Sequence, residues 1–226
     1  MPDHTGKPRT SPQRPEWVNK WSCLKNFTSV FKYQDITLVA DGVDNETWNK
    51  LNALYPTLDI RRTEFGSNAE SFMFCLSEAV TLPADTYVYF IEDDYIHHEG
   101  SDLILEQGLS ISKYVSLYDH PDKYWGENAS KSCQLYMTED CHWRTTGSTT
   151  MTFASSVDNL INDHDLFKQW CGGPDRWTHD FQLFTEISET RGLITPVPGY
   201  ATHLDTWVIA KMVDWKDVLD RTTQES

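Results

Sequence analysis

Three consecutive carboxylates, Glu92-Asp93-Asp94, follow directly on the apolar run Tyr87-Val88-Tyr89-Phe90-Ile91. Adjacent carboxylates repel one another, and packing gives no reason to place three together. A divalent cation relieves that repulsion, and hard oxygen ligands suit Mg²⁺ or Mn²⁺ with phosphate oxygens completing the shell. The plain alternative is an acidic turn that caps the next helix. Asp41, at the end of Ile36–Ala40, is a second carboxylate at the end of a β-type run. Gly66-Ser67-Asn68 has the character of a helix start, where free N–H groups meet an anion or a simple cap. Thr178-His179-Asp180 leads into a helix, and a carboxylate there can act as a base or merely cap it. Thr202-His203 adds an imidazole. Zinc on His97, His98 and Asp94 would need a further Cys or His cluster, and the sequence supplies none.

These residues need elements to hold them. The aromatic and β-branched run before the acidic triplet suits a strand buried on both faces of a parallel sheet. The carboxylates then lie at the C-terminal edge, where open α/β sheets bind ligands. The spacing predicts an amphipathic helix over 16–31, a strand at 36–40 and a helix from Trp48 to Tyr55. Ser67-Asn68-Ala69-Glu70 reads as a capping box opening the next helix. Another helix starts at Gly100-Ser101, and Tyr114–Tyr118 reads as a strand. This alternation points to an α/β fold with a mostly parallel central sheet flanked by helices.

After Asp119 the text becomes polar and turn-rich. Short β-type runs are expected at 135–137 and 149–154, a polar helix over 157–170, and a break at Cys171-Gly172-Gly173-Pro174. A helix follows over 180–191 with Phe181, Phe184 and Ile187 inward and Gly192 as its C′ residue. A last strand lies at 194–196, and the tail from Thr202 to Ser226 reads as charged and irregular. One domain over 16–226 is expected, preceded by an arm or edge strand at 1–15.

Of the 226 residues, 39% are hydrophobic and 13% aromatic, enough for a core. The formal net charge of −15 argues against a nucleic-acid partner, because no basic stripe is present to displace counterions. No apolar run reaches the roughly 18 residues that span a membrane, and the first residues hold no signal-peptide core. Five cysteines without zinc spacing read as reduced thiols in a cytoplasmic setting. The sequons starting at Asn26, Asn45 and Asn128 then read as chance.

The order Ile36-Thr37-Leu38-Val39-Ala40-Asp41-Gly42, Gly66-Ser67-Asn68, Phe90-Ile91-Glu92-Asp93-Asp94 resembles the GT-A-fold, nucleotide-sugar-dependent glycosyltransferases. It is most similar to small single-domain members of bacteria and large algal viruses, over about 15–215. The resemblance implies a nucleotide-binding half about 16–119 and an acceptor half about 120–215. It implies transfer of a sugar from a UDP-sugar, or a GDP-sugar, to an acceptor hydroxyl of a glycan or small sugar, with inversion. It implies that Asp41 and Asn68 face the nucleotide, that Asp93 bonds the ribose, and that Asp94 and His203 hold Mn²⁺ or Mg²⁺. Asp180 matches the place of the base. Glu92 matches a variable position and receives no role. Trp143 and Trp177 offer faces to sugar rings, and Arg144 a charge. The resemblance also places an N-terminal strand with a base-contacting loop before Trp17, where Pro8-Arg9-Thr10-Ser11-Pro12 is a poor strand. A sugar nucleotidyltransferase would share the sheet and acidic edge, although it needs a Gly-rich basic loop for a triphosphate. An inactive carbohydrate-binding module is the rival outside enzymes.

Overall fold

The computed structural model describes residues 14–205 and 208–224; the expected N-terminal strand and base-contacting loop lie outside them. Each early helix begins where a side chain meets its free N–H groups. Asn19 caps α1 (Lys20–Val30), Asp44 caps α2 (Asn45–Leu54) and Ser67 caps α3 (Asn68–Ala79), each accepting backbone N–H bonds of the first turn. The amphipathic segment at 16–31 thus becomes helical only from Lys20. Between these helices run β1 (Thr37–Asp41) and β2 (Asp59–Thr63), paired in parallel with Asp41 opposite Thr63.

Then come β3 (Tyr87–Phe90), β4 (Tyr95–His97), α4 (Ser101–Leu109) and β5 (Tyr114–Val115). Two 3₁₀ turns precede β6 (Leu135–Met137) and β7 (His142–Thr145). The remainder is β8 (Phe153–Ser156), α5 (Val157–Asn162), α6 (His164–Cys171), α7 (Asp180–Thr190), β9 (Leu193–Pro196), β10 (Ala201–His203) and α8 (Trp215–Gln224). α7 closes as expected: Gly192 takes φ +92°, and its N–H donates to the Ile187 carbonyl at 3.1 Å.

A six-stranded sheet in the order β3-β8-β5-β9-β7-β6 forms the centre, and only β5 and β9 pair in parallel. The expectation of a mostly parallel sheet is therefore corrected. β8 inserts antiparallel between β3 and β5, a long-range pairing with no local signal. β3 is also an edge strand of this sheet, with Tyr87 exposed and only Phe90 buried, not a strand sealed on both faces. Neighbouring residues of the inner strands enter opposite apolar clusters: Tyr114, Phe153 and Leu193 one, Val115, Ala154 and Ile194 the other. Helices accordingly cover both faces. Phe72, Phe167 and Phe184 close the first cluster; Ile104, Leu109, Trp215 and Val218 close the second.

The tail, expected to be irregular, supplies β10 and α8. The buried Trp215, Val218, Leu219 and Thr222 of α8 recur at helical spacing beneath a charged face. The helix expected over 157–170 divides at Asp163, whose carboxylate accepts from Tyr114 Oη (2.8 Å) and Arg191 Nε (2.7 Å). Asn26 is wholly buried. Its amide donates to the His97 carbonyl (2.9 Å) and Thr222 Oγ1 (2.8 Å), and its Oδ1 accepts from the His97 N–H (2.7 Å). It thereby joins α1, β4 and α8, and the sequon it opens is sealed. Cys23, Cys141 and Cys171 are buried and Cys133 is exposed; all five thiols are free. Burial pushes the thiols of Cys23 and Cys171 up to about 12. No helix among the described residues is long and apolar enough to cross a membrane.

Candidate functional site

Phe90 ends β3 by packing on Phe153, with centroids 5.1 Å apart, and the chain then leaves the sheet. The Glu92 N–H donates to Thr152 Oγ1 at 3.2 Å as it does so. After the turn, β4 pairs antiparallel with β10, placing His203 opposite Tyr95. The Leu204 N–H donates to the Asp94 carbonyl at 3.0 Å. This pairing brings His203 to Asp94 across more than a hundred residues: its Nε2 lies 3.4 Å from Asp94 Oδ2. Tyr95 forms the floor, edge-on to His203 at 5.3 Å and bonded through its hydroxyl to Thr150 (2.7 Å).

Two cations answer the acidic triplet. Arg14 Nη2 donates to Asp94 Oδ2 at 2.8 Å, and the Lys20 ammonium pairs with the exposed Asp93 carboxylate. Sequence reading missed both, since neither lies near the triplet in the chain. Glu92 stands apart. Burial in the cleft, then the charges of Asp94, Asp180 and Asp93, push its carboxyl up to about 8, against a bond from Thr152. Glu92 therefore holds its proton more tightly than an ordinary glutamate does.

Asp180 opens α7 and accepts the Phe181 N–H at 2.8 Å. Burial raises its pKa, opposed by hydrogen bonds from backbone N–H groups and by the charges of His120 and His179. Its charge acts on Glu92. His120, which sequence reading also passed over, acts electrostatically on both Asp180 and His203. Its ring lies 5.1 Å from that of Tyr118, and its Nδ1 accepts the Asp122 N–H at 3.0 Å.

Other expected residues have different duties. Asp41 accepts from the N–H groups of Phe65 (2.6 Å) and Gly66 (2.8 Å) and the hydroxyls of Thr63 (3.0 Å) and Ser71 (3.0 Å). Burial opposes, but these four donors hold its pKa below the usual range. The carboxylate makes structural bonds that shape the loop before α3. Trp143 is fully buried, its Nε1 donating to Thr138 Oγ1 at 2.9 Å, and it presents no face to a sugar. Arg144 is buried against Asp119, with Nη2 2.5 Å and Nε 3.2 Å from one oxygen, so its charge is spent inside the fold. His97 is walled in by Phe27, Phe31 and Tyr89, and burial lowers its pKa to about 3.

Asn68 remains exposed at the start of α3. Trp177 is 66% exposed, and Phe181, expected inward, is 55% exposed beside Asp180. Trp177 stands on an anchored loop. Ser67 Oγ donates to the Arg176 carbonyl (2.9 Å), while the Arg176 guanidinium binds Glu70 Oε2 (2.6 and 3.1 Å) and the Phe65 carbonyl. The clefts lined by Tyr87 and Ser112, and by Thr37 and Asp59, lie at the N-terminal ends of β3, β1 and β2, away from the acidic turn.

No group of three His, Cys, Asp or Glu among the described residues is placed to hold a metal. Asp94 and His203 provide two donors, which suits a cation whose remaining ligands are phosphate oxygens and water. Asp94 Oδ1 is buried and without a hydrogen-bond partner among the described residues, as a ligand oxygen should be. His203 fits less directly. Its Nδ1 accepts the Asp205 N–H at 3.0 Å, so the neutral ring carries its proton on Nε2, toward Asp94. Ligation through Nε2 requires the other tautomer and release of that N–H.

A scan of protein-family models found no match, and no curated protein matched. Among solved structures, the chain is similar to 4-diphosphocytidyl-2C-methyl-D-erythritol synthase from Anaerococcus prevotii. The two share 12% identity, 98% of this chain and 91% of that chain are covered, and the TM-score is 0.48.

Proposed function

We propose that the chain is a GT-A-type glycosyltransferase that moves a sugar from a nucleotide diphosphate, UDP before GDP, to an acceptor hydroxyl of a glycan or small sugar. The observation that carries this reading is the approach of distant segments: His203 Nε2 lies 3.4 Å from Asp94 Oδ2, and the charge of Asp180 acts on Glu92 of the same acidic turn. Asp94, with His203 beside it, would hold Mn²⁺ or Mg²⁺. The cation would neutralise charge developing on the departing diphosphate. Asp93 and Asn68 are both exposed and would meet the ribose and the base. Asp180 takes the acceptor's proton as its oxygen attacks the anomeric carbon. Its raised pKa makes it a better base than an ordinary aspartate. Attack from the face opposite the diphosphate inverts the configuration. Trp177 and Phe181 supply apolar faces for a sugar ring next to that base.

The test is hydrolysis and transfer with UDP- and GDP-sugars in Mn²⁺, following the anomeric configuration by NMR. Inverted product from one donor supports the reading. Release of pyrophosphate from a nucleoside triphosphate and a sugar phosphate, without sugar transfer, would assign the chain to the nucleotidyltransferases. A module that only binds carbohydrate would show no cation-dependent nucleotide affinity.

A further inference from the structure

Arg14 and Asp94 meet in an incomplete way. An arginine fork facing a carboxylate ordinarily makes two parallel bonds. Here one is made, Nη2 to Oδ2 at 2.8 Å. The atoms that would make the second, Arg14 Nε and Asp94 Oδ1, are both buried and both without a hydrogen-bond partner among the described residues. An unmet donor and an unmet acceptor thus stand beside one ion pair. Leaving both unmet is costly, because each has lost its water. Whatever completes the pair must accept from the guanidinium and offer positive charge or a proton to the carboxylate. A divalent cation carrying a phosphate does both at once, with the metal on Oδ1 and a phosphate oxygen on Nε–H.

We infer that Arg14 is a binding residue for the cation-bound diphosphate, holding a phosphate oxygen while Asp94 holds the metal. The inference rests on the cation reading of Asp94 given above and adds the anion's protein partner. It gives Arg14 two effects of opposite sign. On the metal alone, its positive charge 2.8 Å from a ligand oxygen is a competitor. On the metal–diphosphate, its Nε–H is an attraction. The Lys20–Asp93 pair is exposed on both sides and is screened, so it cannot substitute.

The experiment measures binding of Mn²⁺ alone, and of inorganic pyrophosphate with saturating Mn²⁺, by calorimetry, to the full chain and to Arg14→Ala and Arg14→Lys. For Arg14→Ala, Mn²⁺ alone should bind several-fold tighter and Mn²⁺-pyrophosphate about tenfold or more weaker. Arg14→Lys keeps the charge and loses the fork. It should bind Mn²⁺ like the parent and pyrophosphate with intermediate affinity. Thermal melts confirm that each variant is folded. If both affinities move together, or if pyrophosphate binding is unchanged in Arg14→Ala, the inference is overturned while the cation site stands. A parent chain that binds neither Mn²⁺ nor its pyrophosphate complex overturns the cation reading itself. Opposite shifts without any sugar transfer keep the role of Arg14 and remove glycosyl transfer.

Discussion

Replacing Asn26 by alanine tests how the site is held. The amide satisfies both main-chain groups of His97 and one lone pair of Thr222, and none of its surface reaches water. In Asn26→Ala the His97 N–H and carbonyl remain buried without these partners, at about 1–3 kcal/mol each. Thr222 suffers less, because its hydroxyl still donates to the Val218 carbonyl at 2.9 Å. The summed loss is roughly 2–6 kcal/mol, a large part of the 5–15 kcal/mol typical of a domain. Urea unfolding at neutral pH measures it as a lower midpoint with unchanged slope. Asn26→Asp sharpens the argument: its oxygen still accepts from His97, but it loses the donor and buries a charge. Its deficit should grow as pH rises above the carboxylate range. A loss below about 1 kcal/mol in Asn26→Ala would mean that water replaces the amide, and the staple argument would fail.

Asp180→Asn keeps the shape of the helix start and removes the base; transfer should fall roughly 10²–10⁴-fold with donor binding intact. Near-normal turnover would exclude the role. Glu92→Gln should stabilise the cation-free protein at alkaline pH. Glu92 has a folded-state pKa of about 8 against 4.5 for the free side chain, so stability is full below 4.5 and falls as pH rises toward 8. The variant escapes that loss, by about 1–3 kcal/mol at pH 8.5 once the open side of the cleft is allowed for, and gains nothing near pH 4.5. A pH-independent difference in urea unfolding would refute this. Gly108→Ala places a Cβ 2.5 Å from Trp143 Cη2 and 2.9 Å from Val115 Cγ1, and should cost about 1–3 kcal/mol in the same assay.

Local chemistry was legible and long-range pairing was not. α2 announces itself through apolar spacing, α3 through its cap and α7 through its terminal glycine, signals that act within a turn or two of the residues concerned. β4 and β10 are three residues long and pair with each other from about a hundred residues apart. β2 carries no strand pattern, because Arg61 and Arg62 sit side by side in it and both are exposed. α8 is hidden because its four charged residues interleave with the four it buries. The acidic triplet and the base candidate at Asp180 were visible as residue types. The fate of Trp143 and Arg144 depended on Thr138 and Asp119, which only the folded sheet places beside them.

The β4–β10 pairing has a temporal meaning. β4 has no other strand partner among the described residues, and its flank against α1 is shared with α8. On a growing chain, the turn carrying Asp94 emerges about a hundred residues before β10 and α8, the elements that complete its setting. Until then the acidic turn and the apolar surface of β4 stay open, at the stage when nascent domains are most prone to aggregate. Assembly of the acidic turn is therefore a late event of synthesis, and premature termination before Ala201 would yield a chain with α1 to α4 but without the strand that brings His203 to Asp94.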